Sequence, residues 1–235
     1  MDKRIFQIRY KLYQQMMLII FVFLQFSALL WAQANDNEST SSVIVKTFVE
    51  LVKDLDGDMQ KDTVYTEYVL SNDASAQNYS RIVYRLSSQN FQKIQSQKIK
   101  IDYWGFPEIE SGITSTKNGF EFFVNYTRNG NKAQFRYDKQ AKKIRLIGMA
   151  RYEIGTFDRN GEGKSSVNLL TNQYIGEWYA VDYNLEKLFK IPTIKSKMFF
   201  GKIYLDDFSE ETFSDYAQKC SNLRYKHKIK IISTR

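Results

Sequence analysis

Along most of this chain β-branched and aromatic residues alternate with polar ones, and this period of two constrains the fold more than any other feature. Successive side chains of a strand point to opposite faces, so such alternation describes half-buried strands with one apolar face. Segments 43–52, 63–70, 81–86, 98–103, 120–127 and 133–137 read as strands, and 142–152, 174–182, 188–191 and 199–205 continue the pattern. Turn residues separate them, and Asn129-Gly130-Asn131 is expected to close a tight hairpin. Aromatic residues make up 15% of the sequence, which supplies large side chains for a core. No helix long enough for a βαβ crossover lies between the strands. The expected fold is therefore mainly β, an antiparallel meander forming a curled sheet or a small propeller-like arrangement.

Two helices are expected. Residues 87–93 suit a single turn. Residues 209–223 suit a short C-terminal helix: Ser209 can cap it, Glu210 and Glu211 lie in its first turn, and Lys219 lies near its last. Phe213, Tyr216, Ala217, Cys220 and Leu223 then share one face, which is read as core packing.

Residues 1–34 have the order of a secretory signal: Lys3, Arg4, Arg9 and Lys11, a mainly apolar run at 16–30, then the small-x-small site Ala32-Gln33-Ala34. The run is shorter than the roughly 20 residues of a membrane span. An uncleaved N-terminal anchor is the alternative reading. A polar linker at 35–42 and one β-rich domain at 43–235 are expected to follow, placing the product in the periplasm or outside the cell without a stable membrane anchor. The chain's formal charge is +8. Four of the basic residues and one acid, Asp2, lie in the signal, so the remainder is near +5. That balance, together with export, argues against a nucleic-acid partner. The local run Arg224, Lys226, Lys228 and Lys230 is read as a solvated face.

Cys220 is the only cysteine and His227 the only histidine. No internal disulfide is possible, and a Cys- or His-rich zinc site is not available. A Ser-His-Asp triad or a Cys-His dyad would have to use His227. Carboxylate-pair chemistry survives on residue types alone. Asp102, Glu108, Glu110 and Asp182 are available, but no spacing singles any of them out as catalytic.

The one constellation with a chemical meaning is Asp54-Leu55-Asp56-Gly57-Asp58-Met59-Gln60-Lys61-Asp62, with carboxylates at positions 1, 3, 5 and 9. Like charges this close repel, and a hard cation relieves the repulsion. The loop is not an EF-hand, because position 6 is Met59 rather than Gly and position 12 is Tyr65 rather than Glu. It resembles the Asp-x-Asp-Gly-Asp-Gly-x-x-Asp loops of the FG-GAP/VCBS class of exported β proteins, over residues 51–70 only. That resemblance implies a structural Ca²⁺ held by the side chains of Asp54, Asp56, Asp58 and Asp62 and by the backbone carbonyl of Gln60. Met59 stands where the class has Gly, so the implied site is weak, with Kd on the order of 10⁻⁴ to 10⁻³ M.

A second loop, Asp158-Arg159-Asn160-Gly161-Glu162-Gly163-Lys164-Ser165-Ser166, repeats the oxygen spacing, but Lys164 opposes a cation and a plain Gly-rich turn is expected. Its Gly-Lys-Ser lacks the first glycine of a phosphate loop. In texture the rest of the chain is similar to small exported proteins of Bacteroidota-type bacteria. Some exported calcium-loop β proteins of Gram-negative bacteria inhibit cell-wall lytic enzymes or confer immunity to them. The functional expectation is a non-enzymatic envelope binding protein whose partner is another envelope protein, with that inhibitor role as one version. An envelope glycan hydrolase using a carboxylate pair is the alternative.

Overall fold

The computed structural model describes residues 43–71, 78–100, 102–103, 106–107 and 110–234. The export signal and the linker expected at 35–42 lie outside these residues. The first sheet is built from β1 (Val43–Lys53), β2 (Asp62–Ser71) and β3 (Tyr79–Arg85), all antiparallel, with the short β4 (Ile94–Gln95) and β5 (Ile99–Lys100) on the outer edge of β3. A separate two-stranded ribbon joins β6 (Asp102–Tyr103) to β7 (Phe106–Pro107).

The second sheet is a meander. β8 (Glu110–Thr116), β9 (Gly119–Asn125), β10 (Asn129–Asp138), β11 (Lys143–Glu153), β12 (Gly163–Asn168) and β13 (Gln173–Asp182) each pair with the next. The far edge of β13 is shared by β14 (Lys187–Lys190) and β15 (Ile194–Lys197). The strand order runs from β14 to β8 without closing on itself, so the sheet is an open antiparallel meander and not a barrel.

The alternation does what its period demands. In β9, Phe120, Phe122 and Val124 are buried while Glu121, Phe123 and Asn125 are half-buried. Facing residues Ala133 and Phe135 of β10 and Ile144 and Leu146 of β11 continue the same apolar layer. A single cluster joins these to Val64, Ile82, Tyr84, Leu86 and Ile99 of the first sheet. Lys53 clips the sheets together, its Nζ donating to Ser115 Oγ at 3.3 Å, to Lys117 O at 3.2 Å and to Thr116 O.

One helix, α1 (Glu210–Ile232), packs on the second sheet. Its first residues are positioned by Ser209, whose N–H donates to Thr212 Oγ1 at 3.3 Å. Phe213, Tyr216 and Cys220 are buried, as their helical spacing predicts. Phe208 and Phe213 meet edge to face at 5.1 Å, and Phe208 meets Phe135 the same way at 5.1 Å. The helix runs nine residues beyond the expected end at 223. No helix in the described residues is long and apolar enough to cross a membrane.

Other expectations need correction. Asn129 and Gly130 are not the hairpin turn. They already pair within β10, and the turn lies at 126–128, where Tyr126 N–H donates to Asn129 O at 2.7 Å. Gly130 is required for a different reason: a Cβ there would lie 2.3 Å from the Tyr152 ring and 2.5 Å from Asn125 Oδ1. Residues 199–205 do not form a strand. Only Tyr204 bridges β11, at Arg145, and Leu146 N–H donates to Ile203 O at 2.9 Å. This contact satisfies the edge of β11 where pairing with β12 has ended. The one-turn helix at 87–93 shrinks to a 3-10 turn at Ser87–Gln89, stopped by Asn90 and Phe91 in the left-handed region.

Candidate metal loop and clefts

The pairing of Lys53 with Asp62 closes β1 and β2 into a hairpin, and residues 54–61 form its loop. Short aspartates bond readily to their own backbone, and this fixes the loop's shape. Gly57 N–H donates to Asp54 Oδ1 at 2.7 Å and Met59 N–H to Asp54 Oδ2 at 3.0 Å. Asp58 N–H donates to Asp56 Oδ1 at 3.1 Å, and Gln60 N–H to Asp58 Oδ1 at 2.8 Å. From the 3-10 turn, Ser87 Oγ reaches Asp58 Oδ2 at 2.7 Å and Ser88 Oγ reaches Asp56. The Ser87 hydroxyl and the Gln60 amide hold the Asp58 carboxyl below its ordinary range.

Asp54, Asp56 and Asp58 each offer an oxygen within 4.8 Å of the others, and this group could hold a metal ion. All three are half-buried, and no ion pair reaches them among the described residues. An all-oxygen, carboxylate-rich set suits a hard cation such as Ca²⁺ and not a thiolate- or imidazole-seeking metal. Each oxygen already accepting one hydrogen bond keeps a second lone pair for a cation. The chain thus brings together three of the five expected positions. Gln60, expected to offer its carbonyl, touches the group through its N–H, which donates to Asp58.

Asp62 stands outside this group and is fully buried. Its Oδ2 accepts Leu55 N–H at 2.7 Å, and its Oδ1 accepts Ser87 N–H at 2.8 Å and faces Ser87 Oγ at 3.0 Å. It ties the loop to the 3-10 turn. Met59 is 94% exposed with φ at 66°, in the left-handed region that costs a side chain about 1 kcal/mol or more. The turn therefore asks for glycine at Met59, as the resemblance implies.

The loop forms one wall of a cleft of about 580 Å³. Asp54, Asp56 and Gly57 are among the residues that line it. Lys53, Lys117, Arg136, Lys139, Arg145 and Lys202 bring positive charge to the same space. Arg145 lies 3.9 Å from Asp138, and its Nε is buried without a hydrogen-bond partner among the described residues.

The second loop is resolved differently. Arg159 Nε and Nη2 donate to the Glu162 carboxylate at 2.6 and 2.8 Å, so the chain supplies its own counter-ion. Asp158 accepts Asn160 N–H at 3.0 Å, Tyr183 O–H at 3.1 Å and the Thr156 hydroxyl. From Gly163 onward the residues are already strand β12, with Ser165 buried. The loop behaves as the expected plain turn, only shorter.

Of the scattered carboxylates, Asp102 and Glu108 fall outside the described side chains. Glu110 is exposed, and Asp182 is buried and caps the turn after β13 through Asn184 N–H at 3.1 Å. A different pair was not visible in the sequence. Glu153 and Glu210 both line a cleft of about 360 Å³ between β11 and α1. Glu153 is ion-paired to Arg151 and, at 3.1 Å, to Arg224. Glu210 Oε2 is buried without a hydrogen-bond partner among the described residues, and burial pushes this carboxyl up to about 7 against the opposing backbone and charge of Lys100. In the sequence Glu210 reads only as a first-turn acid of a helix, because the depth at which that turn sits is a tertiary property.

Cys220 lies 3.4 Å from Ser165 Oγ, and burial raises its thiol, which makes it a core residue rather than a nucleophile. No protein family, characterised protein or solved structure matches the chain.

Proposed function

We propose that the protein is an exported, non-enzymatic binding protein of the cell envelope in which Ca²⁺ plays a structural part. Asp54, Asp56 and Asp58 would hold the ion, with water completing its shell, and the ion would stiffen the wall of the cleft beside it. The observation that carries this reading is the convergence of three carboxylates that no ion pair reaches among the described residues, at the edge of a cleft of about 580 Å³. Six basic side chains line the same cleft, so an acidic segment of another envelope protein is the partner the cleft suits. Inhibition of a cell-wall lytic enzyme is the concrete version. Adding the purified protein to a wall-lysis assay should slow lysis in Ca²⁺ and not in chelator, with the effect lost in Asp56→Ala. An unchanged lysis rate in every arm counts against the inhibitor version. Export itself predicts a mature N-terminus at Asn35 by mass spectrometry; an intact Met1 in the membrane fraction would contradict it.

A second reading, glycan hydrolysis, is favoured by the cleft between β11 and α1. A carboxyl raised to about 7 can protonate a leaving group, and Glu153, ion-paired to Arg151 and Arg224, lines the same cleft. The pH behaviour of Glu210 tests the environment that this reading needs. Its folded value lies above the unfolded one, so its share of stability is present below about pH 4.3 and is lost as pH rises through about 7. Desolvation outweighs the helix N-terminus, which favours the charge by only about 0.3–1 kcal/mol. Glu210→Gln should therefore stabilise the fold by about 2 kcal/mol at about pH 8 and by little at about pH 4. If the variant folds with this profile yet hydrolyses peptidoglycan as wild type does, Glu210 is no general acid.

A further inference from the structure

The helix α1 is buried only in its first three turns, at Phe213, Tyr216 and Cys220. From Ser221 to Ile232 no side chain is fully buried; Leu223 and Ile231 still pack against the core on the inner side, and the outer side is exposed. That section carries Arg224, Lys226, Lys228 and Lys230, and the last acidic residue of the sequence is Asp215. Tyr225 and Ile229 are exposed on it.

Two neighbouring segments expose apolar groups beside it. The β11–β12 loop presents Ile154 and Phe157, the latter fully exposed at 105%. The turn after β13 presents Tyr183 and Leu185. Contacts make the three segments one surface. Lys228 Nζ sits 4.9 Å above the Tyr183 ring, Tyr183 O–H donates to Asp158 at 3.1 Å, and Arg224 donates to Gly161 O at 3.0 Å. Six of the twelve large apolar side chains exposed among the described residues gather here, which separates this surface from the usual scatter. Of its acids, Glu153 and Glu162 are paired with arginines and Asp158 accepts the Tyr183 hydroxyl, while Glu186 lies beside Leu185; Lys226, Lys228 and Lys230 with Arg224 outnumber Asp158 and Glu186 and set its sign.

We propose that this face docks on an anionic phospholipid surface, with Phe157, Tyr225 and Ile229 entering the headgroup–acyl boundary while Lys226, Lys228 and Lys230 meet lipid phosphates. Phe157 stands wholly exposed on its loop and Tyr225 and Ile229 are exposed along the helix, which suits a fluid boundary. Lysines beside them keep their charge at the headgroup level while their stems cover apolar surface. Half of the six exposed apolar groups, Ile154, Leu185 and Ile229, are aliphatic and would stay idle against nucleic-acid bases, whereas all six can enter a lipid boundary. This site shares no residue with the loop at 54–62 and does not depend on Ca²⁺ there.

The test is sedimentation of the full chain with phosphatidylglycerol–phosphatidylcholine vesicles and with phosphatidylcholine alone. The protein should bind the anionic vesicles more tightly, and added salt should weaken the binding. Lys226→Glu with Lys230→Glu, both exposed, should lower the partition coefficient by at least about tenfold. Phe157→Ser should lower it by about tenfold without moving the melting temperature, since its side chain packs on nothing. Equal binding to both vesicles, or binding that both variants leave intact, overturns the proposal. So does capture of duplex DNA with the same lysine dependence and no dependence on Phe157.

Discussion

The two loops at 54–62 and 158–166 carry oxygens at the same spacing and reach opposite solutions. In the second, Arg159 folds back on Glu162 and Asp158 bonds to Tyr183, so the charges are compensated within the chain. In the first, three carboxylates converge within 4.8 Å, and among the described residues amides and hydroxyls rather than an ion pair answer them. Spacing alone therefore does not define a cation site. What defines it is whether the neighbouring sequence places an arginine or lysine where the cation would sit. Asn160 and Glu162 stand where the first loop has Asp56 and Asp58, with Arg159 between them and Asp158.

The largest difference should appear at the ninth position. Asp62 is buried and accepts two amides, whereas its counterpart Ser166 is exposed. Asp62→Ala should cost about 3 kcal/mol in denaturant unfolding, because it strands the Leu55 and Ser87 N–H groups. Ser166→Ala should change almost nothing. A small cost at Asp62 would mean that the two loops are equally free of the body.

Acid should separate the loops next. Asp58 and Asp158 both titrate below their ordinary value, so their contributions are present above an unfolded value of about 3.9 and are lost as pH falls through the folded ones. Only at the first loop does protonation also remove metal ligands. Any melting shift caused by Ca²⁺ should therefore vanish below about pH 4, in wild type and in Asp158→Ala alike. A shift that persists in acid would place the ion elsewhere.

Backbone strain is common to both loops. Met59 and Arg159 have φ of 66° and 63°. Met59→Gly should stabilise the protein by about 0.5–1 kcal/mol, since its exposed side chain has nothing to lose. Arg159→Gly removes the counter-ion as well, and since an exposed pair contributes little, relief of strain and loss of the pair should nearly cancel. Equal gains from the two glycines would show that the internal ion pair contributes nothing.

The sheet was legible in the sequence because alternation reports a local geometry, and β2, β9, β11 and β13 fall within a few residues of their expected bounds. Three failures have identifiable causes. Gly130 looks like a turn residue, but its demand is for space beside Tyr152. Beyond Leu223, Tyr225, His227, Ile229 and Ile231 alternate with Lys226, Lys228 and Lys230, a strand-like period that hid the last turns of α1. Strand β12 reads Gly-Lys-Ser-Ser-Val-Asn, too polar to announce itself, and is recruited by pairing with β11 and β13. At the metal loop, the convergence of Asp54, Asp56 and Asp58 was legible from spacing. The burial of Asp62 was not, because it depends on Ser87, which is 25 residues away.

The most direct test is thermal melting of the wild type, Asp56→Ala and Asp158→Ala in chelator, in on the order of 10 mM Ca²⁺ and in the same concentration of Mg²⁺. A native-state ligand at ten- to a hundredfold over Kd adds about 1.4–2.7 kcal/mol. For a domain of this size that is a rise of roughly 3–10 °C. Wild type and Asp158→Ala should rise by this amount in Ca²⁺ and much less in Mg²⁺, and Asp56→Ala should not rise at all. Equal melting of wild type in chelator and Ca²⁺ would contradict the account and leave the first loop, like the second, an acidic turn.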